Sequence, residues 1–67
     1  MVADNRVELG ALYKKVGPGQ PIWQVDSLVR YAPLPHAKLK RIDAPSTQMT
    51  VSVATLVDPR FFQRVES

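Results

Sequence analysis

Met49-Thr50-Val51-Ser52-Val53-Ala54-Thr55-Leu56-Val57-Asp58-Pro59-Arg60-Phe61-Phe62-Gln63-Arg64-Val65 is the stretch whose reading decides the fold. Met49, Val51 and Val53 alternate with Thr50, Ser52 and Ala54, the period of a strand with one face on a core. The alternation breaks between Thr55 and Pro59. Proline has no N–H to give a ladder and fixes its own φ, so Asp58-Pro59 is expected to end the strand in a tight turn or one turn of 3₁₀ helix. Phe61 to Val65 is then long enough for one short closing strand.

Upstream, Asp43-Ala44-Pro45-Ser46-Thr47 reads as a turn cluster. His36 to Ile42 reads as a strand with Ala37 and Leu39 on one face and His36, Lys38 and Lys40 on the other. Loss of alternation at Arg41-Ile42 predicts a bulge or the strand's end. Pro33-Leu34-Pro35 separates it from Ile22 to Tyr31. There Trp23, Val25, Val29 and Tyr31 fall on one face with Ser27, and Gln24, Asp26 and Arg30 on the other. Gly17-Pro18-Gly19-Gln20-Pro21 is a turn by composition. Gly10 to Val16 is expected to be the first strand. Asn5 and Glu8 have capping-box spacing, so a helix from about Asn5 to Lys15 is the alternative. Gly10 would cost that helix about 1 kcal/mol against alanine.

These elements predict an all-β chain of five strands, with a flexible tail over residues 1–9 and one domain over 10–67. Trp23, Val25, Val29, Leu39, Val51, Val53 and Leu56 are the expected core. Strands this short and numerous in a small chain suit a barrel or a strongly curled sheet. Closing the sheet would also remove the edge of a stretch as uncharged as Met49 to Val57.

Sixty-seven residues allow one domain. A chain of this size buries only about 60% of the surface its unfolded form exposes. It has no cysteine and one histidine, so neither a disulfide nor a zinc site is expected to help. The net charge of +3 suits an anionic partner and is also ordinary for solubility. No apolar run approaches the roughly 18 residues of a membrane span, and the first residues lack the apolar region of a signal peptide. A cytoplasmic protein is expected.

Four strands, a one-turn helix and a fifth strand resemble an SH3-like small barrel over about Gly10 to Val65. Ala11-Leu12-Tyr13 is similar to the start of the Ala-Leu-Tyr-Asp-Tyr motif of true SH3 domains. Here Lys14-Lys15 follows, the loop from Val16 to Pro21 is short, and the Trp-Trp pair is missing. Lys14-Lys15, Trp23 and Val53-Ala54-Thr55-Leu56 look similar to the Lys-Lys, Trp and Val-Ala-Ala-Leu of the plasmid-encoded type II dihydrofolate reductases, which are tetrameric SH3-like barrels. Gln48, Met49, Thr50 and Val51 stand where that family has Val-Gln-Ile-Tyr. The resemblance therefore implies the fold without the reductase activity.

Catalysis needs a positioned acid, base or nucleophile. His36 stands alone on a polar face, and Asp26, Asp43 and Asp58 are scattered over different elements. Gly17-Pro18-Gly19 lacks the lysine and following helix of a phosphate loop. No catalytic residue, metal or cofactor is expected. Arg30, His36, Lys38, Lys40 and Arg41 are expected to form a basic strip if the two middle strands pair. The expected function is thus a non-enzymatic binding module contacting nucleic acid through those five residues. Phe61 and Phe62 are adjacent, so on a strand only one ring can enter the core. The alternative function is protein–protein interaction or self-association through Met49 to Val57 and the pair Phe61 and Phe62, with no nucleic-acid role.

Overall fold

The structure is a computed structural model that describes residues 7–30 and 33–66. Its elements are β1 (Leu12–Lys15), β2 (Ile22–Val29), β3 (His36–Arg41), β4 (Ala44–Ser52), α1 (Val53–Leu56) and β5 (Phe62–Val65). The strands form one antiparallel sheet in the order β4-β3-β2-β1-β5. The chain is therefore all-β with five strands, as its patterning requires. The ladder does not run from β5 back to β4, so these two strands are the edges of an open sheet. Among the described residues no helix is long and apolar enough to cross a membrane. Residues 1–6, Tyr31, Ala32 and Ser67 lie outside the described residues.

The core joins Val7, Tyr13, Trp23, Val25, Ala37, Leu39, Leu56 and Phe62. Alternation along β1, β2 and β3 supplies Tyr13, Trp23, Val25, Ala37 and Leu39. Met49, Val51 and Val53 pack against this cluster but are only half-buried. Val7 is fully buried, although residues 1–9 read as a tail. Gly10 makes this entry geometry, with φ of 86°. Its N–H donates to Val25 O at 2.9 Å, and Val25 N–H donates to Ala11 O at 2.9 Å.

Val29 is not in the core: it is 39% exposed. The register steps from Val25↔Leu39 to Ser27↔Lys38, so β2 carries one extra residue there. A bulge of this kind moves every later side chain to the opposite face. Leu28 takes the inward position instead and packs on the cluster.

Two further expectations change at β4. The cluster Asp43 to Thr47 is not a turn: Ile42 and Asp43 alone connect β3 to β4, and the strand begins at Ala44. An edge strand tolerates Pro45 because its amide owes no ladder bond. Residues 45–47 fit between the pairs Arg41↔Ala44 and Lys40↔Gln48 as an irregularity. The strand also ends earlier than Val57, at Ser52. Ser52 is extended, with φ −71° and ψ 149°, and its Oγ accepts from Thr55 N–H at 3.1 Å. That N-cap outcompetes the apolar alternation and starts one helical turn, which buries Leu56. The helical turn is thus α1 rather than a 3₁₀ turn at Asp58-Pro59. Asp58-Pro59 forms the turn after it. There Phe61 N–H and Phe62 N–H both donate to Asp58 O, at 2.9 and 3.1 Å.

Candidate functional site

Residues directly opposed in a ladder share a face. The outward face of β2, β3 and β4 therefore carries three rows: Gln24, Lys40 and Gln48; Ser27, Lys38 and Thr50; and Val29, His36 and Ser52. Lys14 pairs with Ile22 and Gln63, which places it on the same outward face across β2. Lys38 and Lys40 are about 7 Å apart along β3, and β1 lies about 10 Å from β3 across two ladder spacings.

Of the five basic residues expected to form a strip, the sheet brings together His36, Lys38 and Lys40. Arg30 follows the bulge and leaves that face; its guanidinium donates to Val7 O at 2.6 Å, tying the N-terminal segment to the end of β2. Arg41 is opposite Trp23 on the inward parity, at the sheet's end. Its Nε and Nη2 donate to Asp43 Oδ1 and Oδ2 at 2.9 and 2.8 Å. The hydrogen bond from Arg41 holds the Asp43 carboxyl below the usual carboxylate range, and Asp43 in turn raises Arg41. Lys14 was not among the expected site residues. Alternation in Leu12-Tyr13-Lys14-Lys15 separates Lys14 from buried Tyr13, but only the register shows which neighbours it joins.

Asp26, the residue that the bulge leaves without a ladder partner, places its Oδ1 3.6 Å from Lys40 Nζ. An exposed pair of this kind is worth about 0–1 kcal/mol and leaves the lysine available to another anion. Glu8 and Glu66 border the face at its Leu12 and Gln24 end. Among the described residues Lys38 has no carboxylate partner. Gln24, Gln48 and Thr50 add neutral hydrogen-bonding groups between the cations.

The phenylalanine pair divides as strand geometry requires. Phe62 is buried and Phe61 is 49% exposed, with the Arg60 guanidinium 5.3 Å from its ring centroid. Beside Phe62 is a groove of about 400 Å³ with walls from Tyr13, Leu56, Val57, Pro59 and Arg64. The Arg64 guanidinium lies 5.9 Å from the Tyr13 ring centroid. The groove lining, among the described residues, includes no histidine and no carboxylate. Among the described residues no three His, Cys, Asp or Glu side chains gather in a way that would hold a metal ion. Trp23 Nε1 is buried without a hydrogen-bond partner among the described residues.

No protein-family model, curated protein or solved structure matches this chain.

Proposed function

We propose that the chain is an SH3-like small barrel left open between β4 and β5, and that it acts as a non-enzymatic module holding a nucleic-acid backbone on its outward face. The strand order and the position of α1, which packs against β3, β4 and β5, support the barrel reading. The observation that carries the function is the row of His36, Lys38 and Lys40 on one face of β3, flanked by Lys14, with Asp26 at the β2 bulge as the carboxylate paired to it among the described residues. Cations repeated along a strand suit a chain of phosphates. Gln24, Gln48 and Thr50 supply groups for sugar or phosphate oxygens. Among the described residues the face has no Phe, Tyr or Trp on which bases could stack, and His36 offers a single imidazole, so binding should be weakly selective for sequence.

Fluorescence anisotropy with labelled single-stranded DNA and RNA tests this reading. With roughly three phosphates engaged, the slope of log affinity against log salt should be about −2. Lys38→Glu with Lys40→Glu should weaken binding at least roughly tenfold, a change of about 1.4 kcal/mol. Emission of Trp23, the single tryptophan, checks that the variant is folded. Absence of binding by the unaltered chain at low salt overturns the proposal.

A further inference from the structure

We infer that the chain forms a two-fold dimer by antiparallel pairing of residues 48–52 of β4 with the same residues of a second copy, centred on Thr50. β4 is an edge strand that pairs with β3, and among the described residues no backbone hydrogen bond outside that ladder joins Gln48–Val51 to another segment, while Ser52 leads into α1. A row of amides and carbonyls open on one side is a template for another strand. Natural edges are blunted by charge, proline, bulges or shortness. The first half of β4 has two of these devices, Pro45 and the irregularity over residues 45–47. The second half has none, and β4 carries no charged residue along its nine positions.

The occupant is a second copy because the segment complements itself. A two-fold axis at Thr50 sets Thr50 opposite Thr50, Gln48 opposite Ser52, and Met49 opposite Val51. Polar residues then meet polar ones on the outward face. Half-buried Met49 and Val51 extend the inward apolar layer across the junction. Opposed threonines are a favourable cross-strand pair, and no like charges face each other at the axis. The open window is bounded at one end by the irregularity before Gln48 and at the other by α1 after Ser52. An isologous contact of this kind closes on itself and uses up the edge. A chain of 67 residues without disulfides also has more to gain from added buried area than a larger domain.

The inference stands independently of the nucleic-acid reading. It would, however, place Lys38 of both copies on one continuous outward face, about 14 Å apart across three ladder spacings. Sedimentation from micromolar to millimolar concentration should show a monomer–dimer equilibrium. Thr50→Lys puts like charges directly opposite at the axis and should weaken the dimer roughly tenfold, about 1.4 kcal/mol. Thr50 is exposed, so that variant should keep the Trp23 emission of the unaltered chain. Because the chain has no cysteine, Thr50→Cys gives a clean second probe. Opposed positions in an antiparallel pair are about 4.5–5.5 Å apart between Cα atoms, within reach of a disulfide. Under mild oxidation Thr50→Cys should cross-link rapidly and Gln63→Cys, on the other edge, slowly. A monomer throughout the concentration range overturns the inference. So does a dimer that Thr50→Lys leaves intact, or equal cross-linking of the two cysteine variants.

Discussion

β5 and β4 are the two edges of one sheet, and they are protected in opposite ways. β5 has four residues, Phe62–Val65, and bears Arg64, with Arg60 just before it and Glu66 just after. Shortness and charge discourage a further strand there. β4 has nine residues, no charge, and relies on Pro45 and an irregular register that defend only its first half. A small sheet left open thus concentrates its capacity to pair in one five-residue window. Thr50→Lys and the cysteine cross-link described above test that window directly.

The largest effect that separates the two edges is expected at the phenylalanine pair. β5 is short, and Phe62 is its one fully committed core residue, at 6% exposure. Phe62→Ala should cost about 3–5 kcal/mol, enough to unfold much of a domain this size. Phe62→Leu keeps most of the apolar volume and should remain folded with a reduced melting temperature. Phe61→Ala, at an exposed position, should fall within about 0.5 kcal/mol of the unaltered chain. Thermal unfolding reads all three, at about 4–8 °C per kcal/mol for small domains. If Phe61→Ala cost as much as Phe62→Leu, the exposed ring would be packed against something the edge description omits.

A smaller effect is expected where one edge hands over to the other. Ser52 ends β4 and caps α1: its Oγ accepts from Thr55 N–H at 3.1 Å and donates to Thr55 Oγ1 at 2.9 Å. Ser52→Ala should cost about 1 kcal/mol, read as a lower midpoint in urea with an unchanged slope. An unchanged midpoint would mean that burial of Leu56 alone holds the turn.

How far the sequence could be read is visible within single strands. Trp23 and Val25 were legible as core because alternation runs unbroken through the first half of β2. Val29 and Arg30 were not, because one extra residue between Val25 and Ser27 reverses the faces, and nothing in Asp26-Ser27 announces a bulge. His36, Lys38 and Lys40 kept their shared face because β3 is regular up to Lys40. Arg41 left the strip because alternation alone, one residue after Lys40, turns it to the inward parity opposite Trp23, and Asp43 offers it a near partner. The end of β4 could have been found: Ser52 three residues before Thr55 is a cap pattern, and it was masked by the valines around it. Val7 could not, since a lone apolar residue in a polar segment has no period, and its burial depends on Gly10 folding the segment over β2. The closed edge expected of Met49 to Val57 followed from its lack of charge. The same lack of charge, on an open sheet, is the reason to expect a second copy.

The smallest predicted effect concerns acid, and it again compares the approaches to the two edges. Asp43, in the connection to β4, is held below the usual carboxylate range by its hydrogen bonds from Arg41. Asp58, in the turn leading to β5, is lowered first by Arg60's side chain and also by Arg60 N–H, which donates to Oδ1 at 2.9 Å. Both folded-state values lie below the unfolded ones. The stability these pairs contribute is therefore present above about pH 4, where the unfolded carboxyl ionises, and is lost as pH falls through the lower folded values. Both carboxylates are solvated, so the contribution is small and salt should shrink it. Asp58→Asn and Asp43→Asn should each flatten the fall in melting temperature between neutral pH and pH about 3. Asp58→Asn should flatten it more, because the backbone N–H of Arg60 lowers Asp58 by more than burial raises it, whereas at Asp43 the backbone contribution, from its own N–H, is smaller than that of burial. The asparagine oxygen can still accept that N–H at neutral pH, so the turn that sets Phe62 inward should survive. Acid profiles identical to the unaltered chain in both variants would show that the pairs add nothing to the edges. A larger flattening from Asp43→Asn would reverse their order and move the acid-sensitive contact from the approach of β5 to that of β4.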